Sequence, residues 1–174
     1  MHPCSDAEAL AFAQSEPAGT RTAALVRDAA ASAEGAIIEW RRLFHQHPEV
    51  SGQESHTQEM LCDELDRLGV EYRRLDNNGI IATIRGEAPG AYDADGAPAR
   101  RVALRADIDA LPVTEDTGVP FASKNEGVMH ACGHDAHMAM TLGAIRILLE
   151  MKSQLKGEVR ILFQPAEEIS IGAL

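Results

Sequence analysis

Segments with strand-like and helix-like patterns alternate between residues 79 and 168, and this alternation restricts the possible fold more than any other feature. "GIIATIRG", "RVALRADIDALP" and "GEVRILFQPAEE" are strand-like, and in the last of them Val159, Ile161 and Phe163 recur at every second position. A helical pattern separates the last two strands. The order predicts an α/β domain with a mixed sheet flanked by helices. In such sheets, ligands bind at the carboxyl ends of the strands.

The beginning of the chain divides into a tail and a first helix. Residues 1–20 are small and mostly polar, with a Pro-Ala-Gly break, and we expect them to form a flexible N-terminal tail. Residues 21–44 favour a helix, because Ile37, Trp40 and Phe44 share one face. The folded domain is therefore expected over residues 21–174.

Two further helices have recognisable ends. Residues 51–54 and 55–58 each fit the capping-box pattern, so a helix should follow them and stop before Gly69. The next helix is expected to end at about Met151, and Asp135 is placed where it could cap the start. Its apolar residues repeat at helical spacing: Met138, Leu142, Ile145 and Leu149.

Charge and cysteine content exclude several classes of function. The 174 residues have a formal net charge of -11, and a protein that binds nucleic acid or an anionic membrane needs a basic face. The cysteines are few and odd in number (Cys4, Cys62 and Cys132), which is a poor disulfide framework. There is no secretory signal pattern and no apolar run of about 18 residues. We therefore expect a cytoplasmic protein.

The stretch "MHACGHDAH" contains the first candidate site. The thiolate of Cys132 and the imidazole of His134 can bind one metal ion if the backbone bends at Gly133. Alternatively, Cys132 is a nucleophile activated by a nearby histidine, although catalytic cysteine–histidine pairs are usually far apart in sequence. It can also be an ordinary buried cysteine. His130 is ambiguous, and His137 fits packing or support better than metal binding.

Two adjacent carboxylates follow the last strand. Glu167 and Glu168 come directly after an apolar strand, and Pro165 restricts the backbone just before them. One glutamate could bind a metal while the other faces the substrate and a metal-activated water. The alternative is a pair of solvated charges on a loop.

A second acidic pair ends the preceding strand. Asp107 and Asp109 lie on the same side of an extended segment, because strand side chains alternate. One could approach a metal while the other supports a ligand histidine. Alternatively, both are hydrated and Arg105 is their partner. All these clusters together favour a hydrolytic metal site.

Four stretches between residues 37 and 168 resemble one enzyme family. They are "RRLFHQHPEVSGQE", "LRADIDALPVTEDTGVPFAS", "HACGHDAHMAMTLGA" and "VRILFQPAEE". The chain is similar there to the metal-dependent, aminoacylase-like amidohydrolases, which include hippurate hydrolases, N-acyl-amino-acid hydrolases and plant auxin-conjugate hydrolases. The resemblance implies a zinc-peptidase-like α/β catalytic domain with two metals, and a smaller lid or dimerisation domain later in the chain.

The resemblance also implies roles for individual residues. Cys132, His134 and Glu168 match metal ligands, and Glu167 matches the general acid/base. Asp109 matches a catalytic aspartate that supports the metal centre. The implied partner is a small N-acyl amino acid, hydrolysed at its amide bond by metal-activated water. The thiolate favours zinc, whereas carboxylate and imidazole ligands also accept manganese.

The chain departs from the resemblance after Glu168. The family has further ligand histidines and a glycine-rich run there, where this sequence reads "ISIGAL". We expect an incomplete N-terminal part of the catalytic domain, without the lid, that holds at most one metal well and has weak or no activity alone. A homodimer is expected only where the lid is present. Alternatives are a non-catalytic metal-binding or interaction remnant, an N-acyl-diaminopimelate deacylase or dipeptidase, and a cysteine-dependent hydrolase.

Overall fold

Helices pack against a mixed β-sheet in the part of the chain that the structure describes. The structure is a computed structural model, and it describes residues 17–172. The elements in chain order are α1 (Pro17–Gln46), α2 (Ser55–Leu68), β1 (Glu71–Arg74), β2 (Ile80–Arg85), β3 (Arg101–Asp107), α3 (His134–Glu150), a 3₁₀ turn (Lys152–Gln154) and β4 (Glu158–Gln164). The predicted α/β class is confirmed.

The strands lie in the order β1-β2-β4-β3. β2 runs antiparallel to both β1 and β4, whereas β3 runs parallel to β4. The mixed sheet predicted from the sequence is therefore confirmed. β1 was not predicted, because its sequence "EYRR" has no apolar alternation and its side chains are mostly exposed. Only its pairing with β2 makes this segment a strand.

The core lies between the helices and the sheet. Met138, Leu142 and Ile145 of α3 are fully buried, at the spacing that the sequence predicted. α3 also packs closely against α1, because Gly143 has no side chain there. A Cβ atom at Gly143 would lie 2.5 Å from Cδ1 of Ile37.

The helix bounds differ from the predicted ones at the start of the chain. α1 begins at Pro17, so residues 17–20 are helical rather than part of a tail, and proline is well suited to a first helical turn. The rest of the predicted tail, residues 1–16, lies outside the described residues. α2 ends at Leu68 as predicted, and Gly69 has the left-handed conformation, with a φ of 67°. Within residues 17–172, no helix has the length and apolar character needed to cross a bilayer.

The predicted helix caps were wrong. At the start of α2, the N-cap residue is Glu54, and no side-chain cap forms within the segment. Instead, Glu49 accepts hydrogen bonds from Thr57, at 2.6 Å from the backbone nitrogen and 2.8 Å from the hydroxyl. At α3, the cap position belongs to Gly133, and Asp135 lies within the first turn. Asp135 instead contacts Arg41 and His45 of α1, which are about 90 residues earlier in the sequence and which a local pattern does not reveal.

Candidate metal centre

The acidic residues that follow β3 and β4 meet at one edge of the sheet. These strands are parallel, and their last paired residues are Asp107 and Gln164. Their ladder continues beyond β3, because the backbone nitrogen of Ile108 donates to the carbonyl of Gln164 at 3.0 Å. Asp109 follows the end of β3, and the Glu167-Glu168 pair follows the end of β4, so both lie at the edge of the sheet where the sequence analysis expected ligands to bind.

The start of α3 brings the thiol and the imidazole to the same edge. Gly133 has a φ of 109°, so the chain bends where the sequence predicted. Cys132 precedes this bend and is exposed, whereas His134 begins the helix and is only 2% exposed. The bend turns both side chains toward Glu168.

Cys132, His134 and Glu168 form a group that fits a divalent metal ion. One ligand atom from each residue lies within 4.8 Å of the other two. The Oε1 atom of Glu168 is buried and has no hydrogen-bond partner in the described part of the chain. A buried carboxylate oxygen without a partner is costly unless a cation binds it. Thiolate, imidazole and carboxylate are also the ligands that zinc accepts.

Glu167 lies beside this group. Its Oε2 atom and the Oε1 atom of Glu168 are each 3.8 Å from Nε2 of His134. The Glu167 side chain is 39% exposed and that of Glu168 is 21% exposed. Glu167 is therefore the more accessible carboxylate to a molecule arriving from solvent.

Asp109 supports the group from behind. Its backbone oxygen accepts a hydrogen bond from Nδ1 of His134 at 2.8 Å, and its Oδ1 atom lies 3.3 Å from the same nitrogen. Its Oδ2 atom accepts hydrogen bonds from the Ser51 hydroxyl at 2.7 Å and from the backbone nitrogen of Glu168 at 3.0 Å. These contacts leave Nε2 of His134 free to bind a ligand. The role of Ser51 was missed, because its pattern was interpreted as a helix cap.

The charges in the centre alter its pKa values. The hydrogen bond to Asp109 raises the pKa of His134 to about 9. Burial acts to raise the pKa of Asp109, but hydrogen bonds from His134 and Ser51 outweigh it and hold this pKa far below its ordinary value. Local desolvation, followed by the hydrogen bond to Glu168, raises the pKa of the Cys132 thiol. A metal ion must therefore displace protons from both the thiol and the imidazole.

A second group shares His134. Asp107, His134 and His137 also offer ligand atoms within 4.8 Å of one another. Nδ1 of His137 lies 3.6 Å from Oδ2 of Asp107, and Arg105 forms a close ion pair with the same aspartate. Because Nδ1 of His134 is bonded to Asp109, only Nε2 is free, and it can bind one ion at a time. His137 is half-exposed on α3 and is outside the first group.

Two buried residues lie near the centre: His130, whose role the sequence analysis left ambiguous, and Asp135, which it interpreted as a helix cap. Burial lowers the pKa of His130 to about 4, so its ring is neutral, and within residues 17–172 neither ring nitrogen has a hydrogen-bond partner. Asp135 is buried and contacts α1, with Oδ2 2.7 Å from Nδ1 of His45 and 2.8 Å from Nε of Arg41. These contacts hold the start of α3 against α1.

Comparisons with known proteins agree on a family. The model of "Peptidase family M20/M25/M40" matches residues 103–174. An N-acyl-L-amino acid amidohydrolase of Geobacillus stearothermophilus is 44% identical over 137 residues, which cover 78% of this chain and 35% of that protein. Thermostable carboxypeptidase 1 of Saccharolobus solfataricus is 46% identical over 134 residues, which cover 76% of this chain and 32% of that protein.

A solved structure supports the same assignment. The crystal structure of the YXEP protein of Bacillus subtilis, described as a dinuclear metal binding peptidase from the M20 family, has a TM-score of 0.71 and 43% identity to this chain. The match covers 80% of this chain and 37% of that chain. The chain thus spans about a third of the length of the curated relatives it matches. The resemblance inferred from the motifs is confirmed: residues 103–174 match the model of peptidase family M20/M25/M40, and the similarity to the relatives above extends over more than three quarters of this chain.

Proposed function

We propose that this protein is a metal-dependent amidohydrolase that cleaves the amide bond of N-acyl amino acids. The observation that carries the proposal is the approach of Cys132, His134 and Glu168 within 4.8 Å, with a further carboxylate, Glu167, 3.8 Å from the same imidazole. Metal-assisted hydrolysis needs a metal site and a proton carrier beside it. The amidohydrolase relative, at 44% identity, supports an N-acyl amino acid as the substrate.

Cys132, His134 and Glu168 are the residues that would hold the metal. The thiolate favours zinc, whereas the imidazole and the carboxylate also accept manganese. Three protein ligands leave a coordination position open, as catalytic sites require. When bound, the metal supplies Lewis acidity, which polarises a carbonyl and makes a coordinated water more acidic.

The residues of this chain carry the proton and hold the ligands. Glu167 accepts the proton of the attacking water and returns it to the leaving amine, so that water is added across the C–N bond. Asp109 binds Nδ1 of His134 through its backbone oxygen at 2.8 Å, which keeps Nε2 available as a ligand. The free thiols of Cys62 and Cys132 suit a reducing cytoplasm, which we propose as the location.

The test begins with the intact mass of the protein from its own cell, because the chain matches about a third of its relatives' length. The protein with the mass found in the cell is loaded with zinc or manganese. It is then assayed for release of free amino acids from N-acetyl and N-benzoyl amino acids. We expect Glu167→Gln to lower turnover by about 10²–10⁴-fold without changing metal content. The matched control is Glu59→Gln on α2, whose side chain is 64% exposed, and it should behave as wild type.

Three outcomes would contradict this function. Turnover that survives Glu167→Gln would remove the proposed acid/base, and turnover that persists after chelation would favour the cysteine-dependent route. Metal binding without turnover of any substrate would favour the non-catalytic module.

A second candidate substrate is a short peptide. The carboxypeptidase relative, at 46% identity, supports it, because peptide and N-acyl amide bonds need the same chemistry. Faster release of amino acids from dipeptides than from N-acyl amino acids would favour this alternative.

A further inference from the structure

The turn that carries both glutamates begins with an unusual backbone conformation. Ala166 has a φ of 52°, in the left-handed region that residues with a Cβ atom rarely adopt. It is also buried, at 5% exposure. Glu167 and Glu168 follow directly, so the conformation of Ala166 determines the directions in which their side chains leave the backbone.

Glu54 holds this residue in place. Its Oε1 atom accepts a hydrogen bond from the backbone nitrogen of Ala166 at 2.8 Å, and its Oε2 atom accepts one from Nδ2 of Asn78 at 3.3 Å. Glu54 is 0% exposed, so water does not compete for these bonds. A buried carboxylate with an N–H donor strongly favours the geometry in which that donor is satisfied.

A second carboxylate acts on the other side of Glu167. Asp109 accepts a hydrogen bond from the backbone nitrogen of Glu168 at 3.0 Å. The residues immediately before and after Glu167 therefore each donate their backbone N–H to a buried carboxylate. Glu54 reaches the turn from 112 residues earlier in the chain, in the segment between α1 and α2.

We propose that Glu54 is a positioning residue for the metal centre. By holding Ala166 in the left-handed conformation, it places the Glu168 carboxylate beside Cys132 and His134. The inference rests on the proposed metal site, but it does not depend on which amide is cleaved. It assigns to Glu54 a role in ligand geometry in addition to any role in stability.

Two variants of Glu54 distinguish the effect of side-chain length from the effect of side-chain charge. Glu54→Gln loses the charge but keeps an oxygen that can accept the Ala166 N–H, whereas Glu54→Asp keeps the charge but is one methylene too short. We expect Glu54→Asp to weaken Co²⁺ binding by about tenfold and to weaken the thiolate-to-cobalt charge-transfer band, and Glu54→Gln to remain close to wild type. Adding Ala166→Gly to Glu54→Asp should restore binding, because glycine adopts this φ without strain.

The control is a buried carboxylate far from the centre. Glu158 is 5% exposed at the beginning of β4, where its Oε1 atom lies 2.8 Å from Nε of Arg101. Glu158→Gln should lower stability and leave Co²⁺ affinity unchanged in the folded protein. Two results would overturn the inference. One is a Co²⁺ affinity that is higher for Glu54→Asp than for Glu54→Gln, and the other is a loss of affinity in Glu158→Gln as large as that in Glu54→Asp. A wild-type chain that binds no Co²⁺ would refute the proposed metal site itself.

Discussion

Replacing Asp109 by asparagine tests how the centre is held before any metal binds. Asp109 is 1% exposed, and its carboxylate faces the Ser51 hydroxyl, the backbone nitrogen of Glu168 and Nδ1 of His134. Asparagine has nearly the same volume, so the change creates no cavity. It keeps one acceptor oxygen, replaces the other with an N–H₂ donor and removes the negative charge.

The magnitude follows from the contacts that are lost. The interaction with the His134 ring involves a charge, and such hydrogen bonds contribute about 1.5–3 kcal/mol, whereas a neutral bond contributes about 0.5–1.5 kcal/mol. Asparagine can retain one of the two bonds at Oδ2 but loses the charged contact. We therefore expect the free energy of unfolding of the metal-free protein to fall by about 2–4 kcal/mol near pH 6.

The loss should depend on pH in a defined direction. His134 has a pKa of about 9 in the folded protein and an ordinary value of 6.5, so its stabilising contribution is complete below pH 6.5 and is lost as the pH rises through 9. The pKa of Asp109 lies below its ordinary value of 3.8, so its contribution is complete above that value and is lost on further acidification. The difference between wild type and variant should thus be largest between these limits and should shrink above pH 9.

Urea denaturation in the presence of a chelator, followed by circular dichroism, measures this difference at each pH. The matched control is Ser51→Ala, which removes only the 2.7 Å bond from a neutral hydroxyl. Because the acceptor is the Asp109 carboxylate, this change should cost about 1.5–3 kcal/mol, and the cost should be the same at pH 6 and at pH 10. A loss for Asp109→Asn that is as large at pH 10 as at pH 6 would refute the proposed coupling between Asp109 and His134.

Three other changes test the surroundings of the centre. Asp135→Asn removes the charge 2.7 Å from Nδ1 of His45, and thermal denaturation should show a loss of about 2–3 kcal/mol; a loss within about 0.5 kcal/mol would contradict this. Gly157→Ala places a Cβ atom 2.1 Å from the carbonyl oxygen of Arg100 at a φ of 114°, so urea denaturation should show a loss above about 2 kcal/mol rather than a neutral change. Zinc affinity should rise with pH and binding should release protons, because the pKa of the Cys132 thiol is raised; calorimetry in buffers of different ionisation enthalpy would detect zero release if this is wrong.

The sequence predicted those elements whose pattern is local. The helical spacing of Met138, Leu142 and Ile145 correctly identified the buried face of α3, because one stripe of a helix faces the core. The alternation in β4 predicted a strand in the same way. β1 (Glu71–Arg74) has no such pattern, because it lies at the edge of the sheet with mostly exposed side chains. Its existence depends on β2 beside it.

The polar contacts were the least predictable part of the fold. The capping-box patterns at residues 51–58 satisfied every local criterion, yet Glu49 binds the start of α2 instead. Glu54 accepts a hydrogen bond from the backbone of Ala166, and Asp135 forms an ion pair with His45 of α1. A carboxylate binds whichever donor the folded chain brings near, and local sequence does not identify that donor.

For the site, the sequence by itself determined which residues are available. The ends of two strands, the bend at Gly133 and four motifs indicated Cys132, His134, Glu167 and Glu168 as one group. Only the tertiary structure decided how the group is held, because the parallel register of β3 and β4 places Asp109 against the backbone of Glu168. The left-handed Ala166 and its bond to Glu54 join segments 112 residues apart. Such contacts depend on sheet register and helix packing, which no local pattern encodes.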